Sequence, residues 1–528
     1  MKHHRESGGR SVCQFLALSM LTSMPMTGMS IVHAATCESL GTLKIGDTTL
    51  VGESVAAGAY KHSPSRYDIP RPPPDFSALP PFCRVTGSVR PTKDSDIRFE
   101  VWLPVKDWNG KLLGIGSGGL AGTIGDFAMA APLARGYAVA NTDTGHQGRV
   151  DMAEWALGHP QKVVDFGHRA VHEMTRAAKA VISAYYGSQP RHAYWDGCSE
   201  GGHEGLSEAQ RYPEDYDGIA VGAPANYLTH LHASGLWVSH AVHKDPPSFI
   251  PSDKLPAFHT AVLKACDAID GVVDGVLEDP RQCTFDVRQM QCRSADGLDC
   301  FTAAQIEGIR KVYGGTKNPR TGQQLFPGPL MGSELDEEAP GLHWMYGTAV
   351  PPANLAHSIS EASYKFIILE NASWDWKSFD FDKDVAFADR KLGSTLNAID
   401  PDLSKFKARG GKLLQYHGWG DPSISPLNSV NYYRSVQSKM GDTQSFYRLF
   451  MVPGMAHCQG GPGTDQFDKV AVLERWVEQG IAPDQILASH ATAGKVDRTR
   501  PLCPLGKVAK WKGTGSTDDA ANFACAAQ

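Results

Sequence analysis

From residue 96 onward, short apolar runs that end in glycine or aspartate alternate with amphipathic stretches. "IRFEVWLPV" (97–105), "KLLGIGSGG" (111–119) and "GYAVANTD" (136–143) have the form of buried strands running into tight turns. The next stretch, 168–187, carries Val171, Met174, Ala178, Val181, Ile182 and Tyr185 at three- and four-residue steps, and Gly187 follows as a stop. This predicts an amphipathic helix with a glycine C-cap. "RHAYWDG" then reads as a strand, "GHEGLSEAQRYP" as a helix halted by Pro213, and "YDGIAVGAPA" (216–225) as another buried strand. The alternation returns late in "GKLLQYHGWGD" (411–421), "SFYRLFMVPG" (445–454) and the helical "DKVAVLERWVEQG" (468–480). Strand and helix units in alternation predict an α/β fold, a mostly parallel sheet with helices on both faces.

Between about residues 226 and 405 the rhythm breaks, and prolines, four cysteines and aromatic clusters ("HWMYG", "NASWDWKSFDFD") replace it. The expected organisation is therefore a core of residues 35–225 and 406–528 with an insertion, 226–405, projecting from the sheet. No internal repeat or low-complexity tract interrupts it.

Composition narrows the setting. With 41% hydrophobic residues in 528, the chain can bury a sizeable core, and its net charge of −6 without basic runs gives no footprint for nucleic acid. Residues 1–34 combine a basic start (Lys2, Arg5, Arg10), an interrupted apolar stretch and "VHA" ending at Ala34, the pattern of a signal peptide. The apolar stretch is too short and too broken for a stable membrane span. A lipid anchor on Cys37 is the weaker alternative. Loss of the leader takes the net charge to about −8 and leaves ten of the eleven cysteines, an even set that in an exported chain reads as disulfides. Cys266/Cys283, Cys292/Cys300 and Cys503/Cys525 are natural local pairs. The expected location is secreted or periplasmic.

The chemistry centres on "WDGCSEGGHEG" (195–205). Ser199 sits in a Gly-x-Ser-x-Gly frame between a predicted strand and a predicted helix, as a nucleophile elbow requires. Downstream, "HGWGDPSISP" places Asp421 after a strand, and "VPGMAHCQGG" places His457 after the next one. Nucleophile, acid and base in that order suit a triad in which His457 takes the Ser199 proton and Asp421 holds the imidazole. Cys198 precedes the serine and Cys458 follows the histidine, so a triad that meets brings the two cysteines together. A Cys198–Cys458 bridge would fix nucleophile against base.

"GCSEGG", "HGWGD" and "HC" together resemble the Cys-Ser…Asp…His-Cys pattern of the tannase and feruloyl esterase family, which also includes monoester hydrolases of terephthalate. The resemblance spans Cys37 to Cys525. It implies an α/β-hydrolase core with a lid domain, hydrolysis of carboxylic esters, and pairing of Cys37–Cys83, Cys198–Cys458, Cys266–Cys283, Cys292–Cys300 and Cys503–Cys525.

An oxyanion hole is expected from the N–H of Glu200 and one from Gly118 or Gly119 in "GIGSGGLAG". In the insertion, "CDAIDGVVDGV" gathers Asp267, Asp270 and Asp274, carboxylates that repel one another unless a cation lies among them. Hard oxygen donors favour Ca²⁺, and a solvated acidic turn is the other reading. The resemblance implies a structural calcium here, held by Asp267, Asp270 and Asp274 side chains and the carbonyls of Val272 and Val276. His230, His232, His240 and His243 are spaced so as to suggest a zinc site, but two are separated by a single residue and no acidic partner lies nearby, so they read as lid or surface residues.

Trp344, Tyr346, Trp374 and Trp376 offer flat surfaces for an aromatic acyl group, or equally the core of the insertion. His417, four residues before Asp421, is expected at the pocket mouth, and the resemblance implies that it touches substrate. No aromatic residue follows Asp421 closely, unlike some terephthalate-monoester hydrolases. The sequence therefore predicts a serine esterase for aromatic, hydroxycinnamoyl-type esters. Galloyl esters and terephthalate monoesters are alternatives, and so, from another class, is a silent binder of phenolic ligands; a peptidase on the same fold is disfavoured by the resemblance. Oligomeric state is not legible.

Overall fold

The computed structural model describes residues 35–63, 66–67, 75–120, 122–335 and 354–528; the expected leader, 1–34, and Trp344 and Tyr346 lie outside these. Nine strands build the main sheet: β1 (Thr48–Val55), β2 (Phe82–Val89), β3 (Ile97–Pro104), β4 (Lys111–Ile115), β5 (Ala138–Thr142), β6 (His192–Cys198), β7 (Gly218–Gly222), β8 (Lys412–Gly418) and β9 (Tyr447–Val452). Their order is β1-β2-β3-β5-β4-β6-β7-β8-β9. The β1–β2, β2–β3 and β3–β5 pairs are antiparallel, and all pairs from β5 through β9 are parallel. This is the α/β-hydrolase topology, with an antiparallel edge where the sequence pattern predicts a mostly parallel sheet. The edge escapes the pattern because β1, "TTLVGESV", is largely solvent-facing and offers no continuous apolar run.

Strand side chains alternate between the two faces. Leu112, Trp195, Ile219, Leu413 and Leu449 join a core on one face with Val171, Met174, Ala178, Val181, Ile182 and Tyr185 of helix α2 (Ala170–Tyr186). Their neighbours Leu113, Tyr194, Ala220, Leu414 and Phe450 join the other, with Met129 of the preceding helix α1 (Asp126–Ala134). The predicted helical face of α2 is thus its buried face, and Gly187 ends it with φ 74°. A turn of π-helix, Asp165–Arg169, leads into it. Helix α3 (Glu200–Arg211) has a polar sequence yet is buried from Glu200 to Ala209.

Between β7 and β8, helices α4 (Leu228–Val242), α5 (Leu255–Cys266), α6 (Ala303–Tyr313), α7 (Leu355–Ala362) and α8 (Lys383–Leu396) account for the broken rhythm. They carry apolar clusters of their own, one around Val242, Phe258, Phe301 and Ile309, another around Leu236, Tyr364, Phe379 and Val385. Helices α9 (Pro426–Met440) and α10 (Lys469–Gln479) follow β8 and β9. Among the described residues no helix is long and apolar enough to cross a membrane.

Five disulfides join Cys37–Cys83, Cys198–Cys458, Cys266–Cys283, Cys292–Cys300 and Cys503–Cys525, the pairing implied by the family resemblance. The second spans 260 residues and ties the end of β6 to the loop after β9. A crosslink that closes so long a loop restricts the unfolded chain most. The double variant Cys198→Ala/Cys458→Ala is expected to lose about 3–5 kcal/mol of stability, read from the midpoint of denaturant unfolding under non-reducing conditions; an unchanged midpoint would refute this.

Candidate active site

Ser199 occupies the turn between β6 and α3 with φ 62° and ψ −120°, a conformation that side chains other than glycine's rarely adopt. The surroundings hold it there. Its N–H donates to the Gly222 carbonyl at the end of β7 (3.0 Å), and its own carbonyl accepts from Gly202, His203 and Ala225. Two glycines permit the close packing. A Cβ on Gly197 would lie 2.2 Å from the Gly201 carbonyl oxygen, and one on Gly201 would lie 2.9 Å from Gly116 Cα. The glycines of the motif are therefore set by backbone approach between strand, helix and the turn after β4.

His457 and Asp421 stand after β9 and β8. His457 Nδ1 lies 2.8 Å from Asp421 Oδ2. The other carboxylate oxygen accepts the N–H groups of Ser423 (2.8 Å) and Ile424 (2.9 Å). Burial works to raise the pKa of Asp421, but the His457 charge and the hydrogen bonds from His417 and His457 outweigh it and hold the carboxyl well below the usual range. The group is ionised throughout the working range of pH.

His417 departs from the sequence expectation. Its side chain is wholly buried behind Asp421 and is absent from the cavity wall: Nε2 lies 3.0 Å from both Asp421 Oδ2 and the Ile424 carbonyl, and Nδ1 lies 2.7 Å from Ser429 Oγ. Two acceptors at Nε2 require that nitrogen to carry a proton. Ser429 also receives the Gln415 amide (2.7 Å), and Gln415 in turn receives the Tyr447 hydroxyl. A polar chain thus runs from the sheet interior to Asp421. His417 thus holds the Asp421 carboxylate from the protein side.

The Gly-rich turn after β4 is clamped to α3 from both sides. Ser117 donates through its N–H (3.0 Å) and its hydroxyl (2.6 Å) to the Glu204 carboxylate, and its carbonyl accepts from Gly201 N–H (2.9 Å). Burial foremost, and the Glu200 charge, push Glu204 up to about 7 against those two hydrogen bonds. Glu200 opens α3, so its N–H belongs to the first turn, where helices have no acceptor of their own.

Gly118, Gly119, Ser199, Glu200 and His457 share the wall of a cavity of about 330 Å³. Leu231, His232 and Gly235 of α4 and Leu355, Ala356, Ile359 and Ser360 of α7 line it opposite them. Among the described lining residues there is no lysine or arginine, and the Glu200 carboxylate is engaged by His203 at 2.7 Å. Trp374 is elsewhere: half-buried, it packs on Tyr364 and Phe379 inside the insertion. Trp376 is buried there too. His232, which the sequence reads as a lid or surface residue, is a cavity residue that the spacing of histidines does not reveal; the docking of α4 against α7 brings it to the wall.

In the acidic loop, Asp267 accepts the N–H groups of Asp274 (3.3 Å) and Gly275 (3.0 Å), and Asp274 Oδ2 pairs with Arg500 Nη2 at 2.6 Å. Asp270, Asp274 and Val276 border one small cavity together with Glu278 and Arg498. Among the described residues, the side-chain ligand atoms that gather within 4.8 Å of one another in a group of three are those of His172, Glu208 and Asp215, so the loop's carboxylates stand farther apart.

A parallel α/β-hydrolase sheet, a serine in the strained turn after a central strand, and a histidine–aspartate pair after two later strands define the class of α/β-hydrolases. The chain belongs to the tannase and feruloyl esterase family, whose model matches residues 83–526, and it is a carboxylic ester hydrolase. It is 38% identical to an uncharacterised esterase of Xanthomonas campestris over 93% of this chain and 91% of that one. It is 34% identical to a mono(2-hydroxyethyl) terephthalate hydrolase of Piscinibacter sakaiensis over 85% and 86%. The crystal structure of feruloyl esterase B from Aspergillus oryzae superposes with a TM-score of 0.83 at 28% identity, over 93% of this chain and 99% of that one.

Glu204→Ala removes the acceptor that clamps the Gly-rich turn. If that turn supplies the expected oxyanion donor from Gly118 or Gly119, turnover number on an ester falls about ten- to a hundred-fold with KM little changed, since a displaced donor weakens only the transition state. Glu204→Gln, which still accepts one hydrogen bond, is expected to retain most activity; steady-state kinetics of both variants decides.

Proposed function

We propose that the chain is an exported serine esterase for esters of aromatic carboxylic acids, hydroxycinnamoyl esters foremost. The observation that carries this reading is the shared cavity wall: Ser199, His457, Glu200, Gly118 and Gly119 border one space whose remaining lining is mostly apolar. In this mechanism His457, held by Asp421, removes the Ser199 hydroxyl proton as Oγ attacks the ester carbonyl. The resulting oxyanion is met by the N–H of Glu200 and one from Gly118 or Gly119. His457 then passes the proton to the departing alcohol oxygen, leaving an acyl group on Ser199. Water, deprotonated by His457, attacks that acyl group, and the carboxylic acid leaves as Ser199 regains its proton.

An apolar wall without a lysine or arginine among its described residues favours an uncharged aromatic acyl group over a terephthalate monoester, whose second carboxylate asks for a cation. Galloyl esters fit the same lining. Five disulfides support export, because they persist in oxidising compartments.

We also propose a structural Ca²⁺ in the acidic loop, held by Asp267, Asp270 and Asp274 with the carbonyls of Val272 and Val276. The donor set fits: the oxygens are hard, and burial together with the charges of Asp274 and Asp267 pushes Asp270 up, the tension a cation relieves. Arg500, which reaches Asp274 from a C-terminal strand, shows that positive charge is already recruited to this corner. Bound there, the ion would brace the insertion and take no part in the reaction.

Two measurements test these readings. Purified mature protein is expected to release acid from methyl ferulate, methyl gallate and mono(2-hydroxyethyl) terephthalate in falling order of rate, with Ser199→Ala losing at least a thousand-fold; comparable activity in the variant would remove Ser199 as nucleophile. Calcium content near one ion per chain, and a melting temperature that falls by a few degrees on chelation and recovers with added Ca²⁺, are expected for the loop; a metal-free protein indifferent to chelator would eliminate the site.

A further inference from the structure

The cavity's far wall is built by two helices of the insertion brought unusually close. A Cβ on Gly235 would lie 2.1 Å from Ser360 Oγ, so α7 can seat against α4 only because position 235 lacks a side chain. Gly235 lies one turn beyond His232, on the same face of α4. The contact that closes the wall therefore also aims His232 at the cavity, where its neighbours are Leu231, Leu355, Ala356 and Ile359.

His232 is engaged on one side only. Nδ1 lies 2.7 Å from Ser363 Oγ. Among the described residues Nε2 has no hydrogen-bond partner, yet it is not sealed in the protein either, so it opens onto the cavity its ring helps to form. Burial, and secondarily the His203 charge, lower its basicity to a pKa of about 3, and the ring is neutral wherever an esterase with an unprotonated base works. A neutral imidazole bonded to Ser363 through Nδ1 presents either a donor or an acceptor at Nε2, depending on which way the Ser363 hydroxyl points. A phenolic hydroxyl satisfies both states, since it donates and accepts. A methoxy group or a bare ring edge does not.

We propose that His232 is a specificity-determining residue whose Nε2 receives a ring hydroxyl of the acyl group, so that the enzyme selects phenolic acids over their unhydroxylated analogues. This rests on the esterase reading above and adds to it the residue that reads the aromatic ring. An analogue without the hydroxyl would bury Nε2 against an apolar ring, and an unpaired buried polar group is costly.

The test compares kcat/KM for methyl p-coumarate and methyl cinnamate, which differ by that hydroxyl alone, in the wild type, His232→Leu and His232→Gln. The wild type is expected to prefer the p-coumarate about ten-fold or more, His232→Leu to bring the two within about two-fold, and His232→Gln, which keeps a polar group, to restore part of the preference. Melting temperatures of the variants separate loss of selectivity from loss of fold, and the wild-type ratio is informative without any variant. Equal rates on the two esters in the wild type, or a ratio unmoved by His232→Leu, would overturn the role of His232 while leaving the esterase standing. Failure of the wild type to hydrolyse either ester would overturn both.

Discussion

The bond between Cys198 and Cys458 joins the two backbone segments that carry Ser199 and His457, the proposed nucleophile and base, and much of the candidate site's geometry is tied to it. Ser199 is next to one sulfur and His457 next to the other. Both Ser199 and Cys458 have positive φ, so two strained turns face each other across the crosslink. Strain of this kind persists only where the surroundings over-determine it. Here the backbone hydrogen bonds of Ser199, the glycine contacts beneath it and the disulfide beside it supply that constraint together.

Behind the reacting groups the polar residues are arranged in two supporting sets. Asp421 is anchored by two backbone N–H groups on one oxygen and by two histidines on the other, one facing the cavity and one facing the protein interior. Glu204 does for the Gly-rich turn what His417 does for Asp421, holding it from the protein side through Ser117. Both are buried polar groups, costly unless fully bonded, and their satisfaction leaves little freedom for the groups they hold. Among its described residues, the insertion supplies the opposite surface with few polar side chains, His232 and Ser360 among them.

The features legible in the sequence are those governed by local periodicity or by a motif. Helix α2 shows its buried face as three- and four-residue steps, and β4, β8 and β9 show theirs as apolar runs, since each packs on the core along its length. Ser199, Asp421 and His457 are visible because each sits in a turn whose glycines the fold requires. Strand β1 is not visible, because an exposed edge needs no apolar run. The sequence does not show that His417 is buried behind Asp421 or that Trp374, half-buried, packs within the insertion: a side chain lies on whichever side of the backbone the packing leaves room for.

The sequence by itself determined the alternation of elements, the order of Ser199, Asp421 and His457 and, through the Cys-Ser and His-Cys doublets, the long-range Cys198–Cys458 contact beside them. These are encoded by residue type and spacing, which act within a turn or a strand. The tertiary structure alone decided that α7 closes on α4 at Gly235, that His232 therefore opens onto the cavity, and that His417 stands behind Asp421. Those outcomes depend on which surfaces, far apart in the chain, come within van der Waals contact, and periodicity along a single element carries no record of the face that a distant element will cover.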